Sequence, residues 1–128
     1  MDVRILIVDD ERALVRSLRQ VLMLDYPDAL VDGVFSGEEA LSHLAESSYD
    51  LIIADLRMPG FDGLDLVKGV RYLDPTVPIV LMTAYGSNAV REQALALGVN
   101  CYLDKPFDVD EILTAVRTCL AGRERVDG

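Results

Sequence analysis

Asp9, Asp10 and Glu11 stand in a row near the start of the chain, Asp55 lies near its middle, and Thr83 and Lys105 follow later, the lysine just before Pro106. Taken singly, each has an ordinary explanation. Asp10 could cap a helix and Asp55 could open the turn toward Pro59-Gly60. Thr83 could end a strand, and Lys105 could be a solvated charge. Together they have the makings of a reactive site. Carboxylates held close repel one another and take up protons unless a cation neutralises them. Hard oxygen ligands of this kind select Mg²⁺, which keeps several waters and accepts phosphate oxygens. An ammonium and a hydroxyl beside them could hold a phosphoryl group, and a carboxylate can itself be the nucleophile that forms an acyl phosphate. Metal and lysine would stabilise charge on the group in transfer.

That chemistry requires the six residues to meet, and the rest of the sequence says how. Strand-like runs occur at Arg4–Val8, Leu30–Phe35, Leu51–Ala54, Ile79–Met82 and Asn100–Leu103. Ile5-Leu6-Ile7-Val8, Leu51-Ile52-Ile53-Ala54 and Ile79-Val80-Leu81-Met82 are apolar without alternation, as expected of strands covered on both faces in a parallel sheet. Helical patterns lie between them. Leu14, Leu18, Val21 and Leu22 share one face. Ser36 and Glu39 have capping-box spacing for a helix to about Ala45. Leu66, Val70 and Leu73 form a stripe that stops before Pro75. Ser87 can cap a fourth helix that Gly98 closes. Asp108 and Glu111 open a fifth, with Ile112, Val116, Cys119 and Leu120 inside.

Strands alternating with helices define the α/β class, and right-handed crossovers place helices on both faces of the sheet. Ligands of open α/β sheets bind beyond the carboxyl ends of the strands, where strand order reverses. The acidic triplet follows the first strand, Asp55 the third, Thr83 the fourth and Lys105 the fifth. All therefore project from one edge, with Asp55 on the central strand as the best-placed nucleophile.

Composition narrows the setting. The 128 residues suit one domain, and 51% hydrophobic content is too high for disorder. With 22 acidic and 12 basic side chains the net charge is −10, which disfavours direct nucleic-acid binding because that depends on clustered cations. No apolar stretch is long enough to span a bilayer, and the N-terminal residues lack a signal-peptide layout. A soluble, cytoplasmic protein is expected, without a membrane partner. Cys101 and Cys119 show no metal-ligand spacing and read as reduced, buried small hydrophobes. His43, the single histidine, reads as a surface residue of a helix and has no neighbours for a zinc site. Only Arg123–Gly128 looks loose.

The segments Ile5-Leu6-Ile7-Val8-Asp9-Asp10-Glu11, Asp55-Leu56-Arg57-Met58-Pro59-Gly60-Phe61-Asp62-Gly63, Leu81-Met82-Thr83-Ala84 and Tyr102-Leu103-Asp104-Lys105-Pro106-Phe107 resemble the receiver domain of bacterial two-component response regulators. The likeness runs from Val3 to about Leu120. It implies a doubly wound, flavodoxin-like (βα)5 sandwich with a five-stranded parallel sheet of order 2-1-3-4-5. Residues 1–120 would be the receiver and 121–128 a tail or the start of a linker. It further implies that Asp55 is the phosphoacceptor, served by a histidine kinase or phosphotransfer protein. Mg²⁺, with Mn²⁺ as a substitute, would be held by Asp9 (usually through water), Asp10, Asp55 and the backbone carbonyl of Arg57. Lys105 and Thr83 match the phosphate-contacting pair, the bond before Pro106 is expected to be cis, and Tyr102 matches the aromatic that moves inward as the threonine turns to the phosphate. A domain of this kind catalyses its own phosphorylation and slow dephosphorylation and is not otherwise an enzyme. The face made by the fourth helix, fifth strand and fifth helix would then favour an output domain, a downstream protein or a second copy. Departures are few: Val99 stands where alanine is common, and Arg57 and Tyr85 occupy variable positions tied to phosphoryl lifetime.

Other readings of the same pattern fit less well. Haloacid-dehalogenase phosphatases use a D-x-D motif after the first strand, whereas Glu11 stands here where the second aspartate is required. A flavodoxin-like electron carrier would want Ser, Thr and Gly amides in place of the acidic triplet. An interaction module that works without phosphorylation remains as the alternative on the same fold. Met58, Phe61 and Phe107 are expected to pack loops.

Overall fold

Three continuously apolar runs form the middle of the sheet in a computed structural model of the chain, which describes residues 3–58, 60–84 and 86–127, with side chains excluded at 61 and 123–127. The strands are β1 (Arg4–Val8), β2 (Leu30–Val34), β3 (Leu51–Asp55), β4 (Ile79–Thr83) and β5 (Cys101–Asp104). The helices are α1 (Arg12–Asp25), α2 (Gly37–Glu46), α3 (Gly63–Leu73), α4 (Asn88–Ala96) and α5 (Val109–Asp127). All strand pairs are parallel and the order is β2-β1-β3-β4-β5, the order that the resemblance implies.

Alternate residues of the three inner strands feed two separate cores. Leu6, Val8, Ile52, Ala54, Ile79 and Leu81 face a layer with Leu66, Val67, Val70 and Ala94 of α3 and α4. Ile5, Ile7, Leu51, Ile53, Val80 and Met82 face Val15, Leu18, Leu22, Ile112, Val116 and Leu120 of α1 and α5. Because both faces are covered, neither set of side chains could be polar, which accounts for the unbroken apolar runs. Met58 is buried in the first core and Phe107 packs against the second, as expected, while Pro59, Tyr85 and the side chain of Phe61 lie outside the described residues.

The expected caps are in place. Ser36 Oγ accepts from the Glu39 amide at 3.1 Å, and Ser87 Oγ from the Val90 amide at 3.2 Å. Asp108 and Glu111 satisfy each other's amides reciprocally, at 2.8 and 3.3 Å. The stretch expected to be loose is a correction. Helix α5 continues through Asp127, because Ala, Arg and Glu are good helix formers; Gly128 lies outside the described residues. Among the described residues, no helix is long and apolar enough to cross a membrane.

His43 is exposed on α2, as expected, with Nδ1 3.3 Å from the Tyr49 hydroxyl. That hydroxyl donates to Asp32 at 2.7 Å, and burial together with the Asp32 charge pushes it up to about 12.

Helix α4 ends in a clamp that local patterning does not announce. Gly98 has φ +86°, the left-handed turn past a helix end. Two carbonyls freed there accept from the guanidinium of Arg71 on α3, Gly98 O at 2.6 Å and Leu97 O at 3.2 Å, and the same guanidinium donates to Val77 O, in the loop before β4, at 2.6 Å. A cation at a helix C-terminus also opposes the macrodipole. Arg71→Ala is expected to lower unfolding stability by about 2–3 kcal/mol. Arg71→Lys should recover only part of it, since an ammonium lacks the planar fork that spans several carbonyls. Urea denaturation of the three proteins measures both effects; equal midpoints would refute the clamp.

Candidate functional site

Backbone pairing that runs just past the strand ends delivers the reactive side chains to one edge. The Asp9 amide donates to Val34 O at 3.2 Å, the Leu56 amide to Met82 O at 2.7 Å and the Lys105 amide to Thr83 O at 2.8 Å. Each strand is thereby held in register with its neighbour up to the residue that matters. The Lys105–Pro106 bond is cis, as expected. Beyond Asp55 the chain folds into a small ribbon in which Arg57–Met58 pair antiparallel with Phe61–Asp62. The Gly63 amide closes it on Leu56 O at 2.8 Å, and Asp62 caps α3 through the Leu64 amide at 2.8 Å.

Carboxylate oxygens of Asp9, Glu11 and Asp55 come within 4.8 Å of one another. The Lys105 ammonium stands among them, 2.9 Å from Asp9 and 3.4 Å from both Asp55 and Glu11. The second oxygens of the aspartates accept from backbone: Asp9 from the Glu11 amide at 2.9 Å and Asp55 from the Arg57 amide at 3.2 Å. Asp9 is fully buried and Asp55 nearly so. Asp10, Glu11, Asp55, Arg57, Ala84 and Lys105 line a cleft of about 240 Å³ at this edge.

The electrostatics follow from burial. Desolvation pushes Asp9 above the usual carboxylate range despite the Glu11 amide and Lys105. Asp55 is also raised, by burial first and by the Asp9 charge, with the Arg57 amide and Lys105 opposing. For Lys105, burial works against the ammonium, but Asp9, Asp55 and Glu11 outweigh it and raise it above its ordinary value. The Lys105 ammonium is thus shared by three acids, and among these four groups negative charge is in excess. Hard carboxylate donors short of positive charge are what a small divalent cation requires, so the residues present fit such an ion.

Asp9, Asp55 and Lys105 meet at this edge, and Thr83 ends the neighbouring strand β4 with its carbonyl accepting from the Lys105 amide. Asp10 lines the cleft but is exposed, and its carboxylate is not part of the tight cluster; Glu11 takes that place. The turn that Asp9 makes by accepting from the Glu11 amide brings the Glu11 side chain back toward Lys105. An aspartate followed two residues later by another acid was the available signal.

Thr83 is fully buried at the end of β4. A Cβ at Gly86 would strike the Tyr102 hydroxyl and lie 3.0 Å from the Thr83 methyl, so Gly86 is what allows the two side chains to approach. The Tyr102 hydroxyl is buried with no hydrogen-bond partner among the described residues. Burial and Asp104 raise its pKa, with Arg91 opposing, and the Arg91 guanidinium lies 5.9 Å from the ring centre.

Comparison with known proteins agrees with this geometry. The sequence profile described as the response regulator receiver domain matches residues 5–117. The transcriptional regulatory protein ResD of Bacillus subtilis is 37% identical over 119 residues, which is 93% of this chain and 48% of that protein. The response regulator MprA of Mycolicibacterium vanbaalenii is 37% identical over 128 residues, 100% of this chain and 54% of its own length. The chain thus spans about half the length of these curated relatives. Among solved structures, a CheY-like receiver domain protein from Methanospirillum hungatei JF-1 is 26% identical with a TM-score of 0.93, covering 100% of both chains. Chemotaxis response regulator CheY4 of Vibrio cholerae is 27% identical with a TM-score of 0.84, over 94% of this chain and 100% of that one. With its sheet order, its acidic edge and its sequence all pointing the same way, the chain belongs to the response regulator receiver domain family.

Proposed function

We propose that this receiver accepts a phosphoryl group on Asp55 from a histidine kinase or phosphotransfer protein, in a reaction that requires Mg²⁺ or Mn²⁺. The observation that carries the reading is the Lys105 ammonium set between the buried carboxylates of Asp9 and Asp55, at 2.9 and 3.4 Å. A carboxylate oxygen of Asp55 attacks phosphorus as the phosphorus–nitrogen bond to the donor's imidazole breaks, and the imidazole takes up a proton. Lys105 then transfers its charge from carboxylates to phosphoryl oxygens, where negative charge has accumulated. Asp9 and Asp55 would hold the metal, with Asp10 and the Arg57 carbonyl completing the protein's share and Glu11 within reach. When bound, the metal supplies charge neutralisation on the phosphoryl oxygens. Hydrolysis of the acyl phosphate by water would return the site to its starting state, so the domain catalyses its own cycle and transforms no other substrate.

Intact mass after incubation with Mg²⁺ and a small-molecule phosphodonor tests this directly. One phosphoryl addition is expected, labile to hydroxylamine and absent from Asp55→Ala. Addition that persists in the variant would move the acceptor elsewhere, and failure of the protein to bind Mg²⁺ would favour an interaction module that works without phosphorylation.

Asp55 also makes a prediction about stability. Its folded-state pKa lies above the unfolded value of 3.8, so ionisation works against the fold. The penalty is absent below the unfolded pKa, grows as pH rises from the unfolded value to the folded one, and is full above it. In metal-free buffer Asp55→Asn should therefore raise Tm at neutral pH by on the order of 5 °C, with the gain disappearing in acid. Thermal melts at both pH values would refute the account if the variant were no more stable than wild type.

The output side of the proposal uses Thr83 and Tyr102. Thr83 turns toward the phosphoryl group and Tyr102 takes up the space, changing the face of α4, β5 and α5 toward an output domain, a downstream protein or a second copy. A change from mostly off to mostly on needs about 5 kcal/mol of differential stabilisation, and one charge-assisted hydrogen bond gives about 1.5–3. Metal, Lys105 and repacking must share the remainder. Thr83→Ala is expected to accept phosphate yet lose most of the phosphorylation-dependent change at this face. Tyr102 fluorescence quenching and partner binding would read the change, and equal responses from wild type and variant would remove Thr83 from the relay.

A further inference from the structure

The two cysteines, 18 positions apart in sequence, are neighbours in the fold. Cys101 opens strand β5, and Cys119 lies late in α5. Both pack in the same apolar layer between the sheet and α5. Both are free thiols, Cys119 buried and Cys101 half-buried. They also line one groove of about 480 Å³ with Asn100, Leu103, Ala115 and Thr118. Since β5 is an edge strand, no further strand covers that side.

We propose that Cys101 and Cys119 form a dithiol site which a low-molecular-weight disulfide converts to an intramolecular disulfide, fastening the later part of α5 to the start of β5. The half-buried sulfur reacts first. The Cys101 thiolate attacks one sulfur of the small disulfide, whose S–S bond breaks and whose other half leaves as a thiol after taking up a proton. Cys119 then gives its proton to water and attacks the Cys101 sulfur, expelling the second small thiol. Two protein thiols are oxidised by two electrons, and the small disulfide is reduced to two thiols. The closeness of the pair is also felt electrostatically. Burial pushes the Cys119 thiol up to about 11, with Cys101 adding to the shift. Burial raises Cys101 as well, against the Tyr102 amide and the Arg91 charge.

The site is independent of phosphorylation, since neither cysteine belongs to the acidic edge. Oxidation would fix the relation between two of the elements that make the proposed output face, and so would add a thiol-dependent control to it.

The folded chain, incubated with oxidised glutathione at mildly alkaline pH and then alkylated, provides the test. The expected product is a monomer lighter by two hydrogens, with neither cysteine alkylated and a cross-linked peptide joining Cys101 to Cys119. Cys119→Ala should stop at a glutathione adduct on Cys101, and Cys101→Ala should remain unmodified. The wild-type product decides the matter without relying on the folding of either variant. A stable glutathione adduct, disulfide-linked dimers or two alkylated cysteines would each overturn the proposal.

Discussion

The ammonium of Lys105 stands where Asp9, Glu11 and Asp55 would otherwise face one another, and the architecture around it exists to keep that confrontation in place. Three parallel strands whose inner residues are apolar on both faces bring the acids to a common edge. The same apolar walls remove water from the aspartates and raise their pKa values. A solvated cluster of the same composition would be relaxed by water and counterions and would have little reason to recruit a cation. Here the shortage of positive charge is built into the fold. Stability is given up locally at the edge and recovered in the two cores beneath it, as is common where a protein keeps reactive groups.

Much of this was legible in the sequence because it depends on local periodicity. Continuous apolar runs identify strands with two covered faces, and the 3.6-residue stripes and capping pairs identify the helices that cover them. The acids, hydroxyl and lysine each follow a strand, and parallel topology alone then brings them together. The strand limits shift by a residue or so, as hydrogen bonding continues just past the last apolar side chain at Asp55, Thr83 and Asp104.

What the sequence concealed depends on contacts between distant segments. Arg71 reads as one more charge on α3, yet its acceptors are carbonyls 3 to 27 positions away. Glu11 reads as the tail of an acidic triplet, and only the turn made by Asp9 places it in the cluster while leaving Asp10 exposed. The Arg57–Asp62 ribbon has strands of two residues, too short for any pattern. Tyr102 could be assigned by resemblance, but the burial of its hydroxyl beside Gly86 follows from packing alone. The cysteines have no informative spacing, because what brings them to one groove is the packing of α5 on the sheet.

The Arg71 clamp has a mechanical consequence. Helix α4 buries only Ala94 among its residues, so the apolar layer holds it lightly, while its C-terminal turn is tied to α3 through the Leu97 and Gly98 carbonyls. Its opposite end adjoins Gly86, Thr83 and the tip of Tyr102, where a single serine hydroxyl caps it. A rod fastened at one end and loose at the other moves as a lever. Nine residues make it about 13 Å long, so tilting it by about 10° about the clamp carries the free end roughly 2 Å. Small rearrangements next to Thr83 would thus be converted into sideways travel of the α4 surface, with the pivot set by a side chain outside the reactive edge.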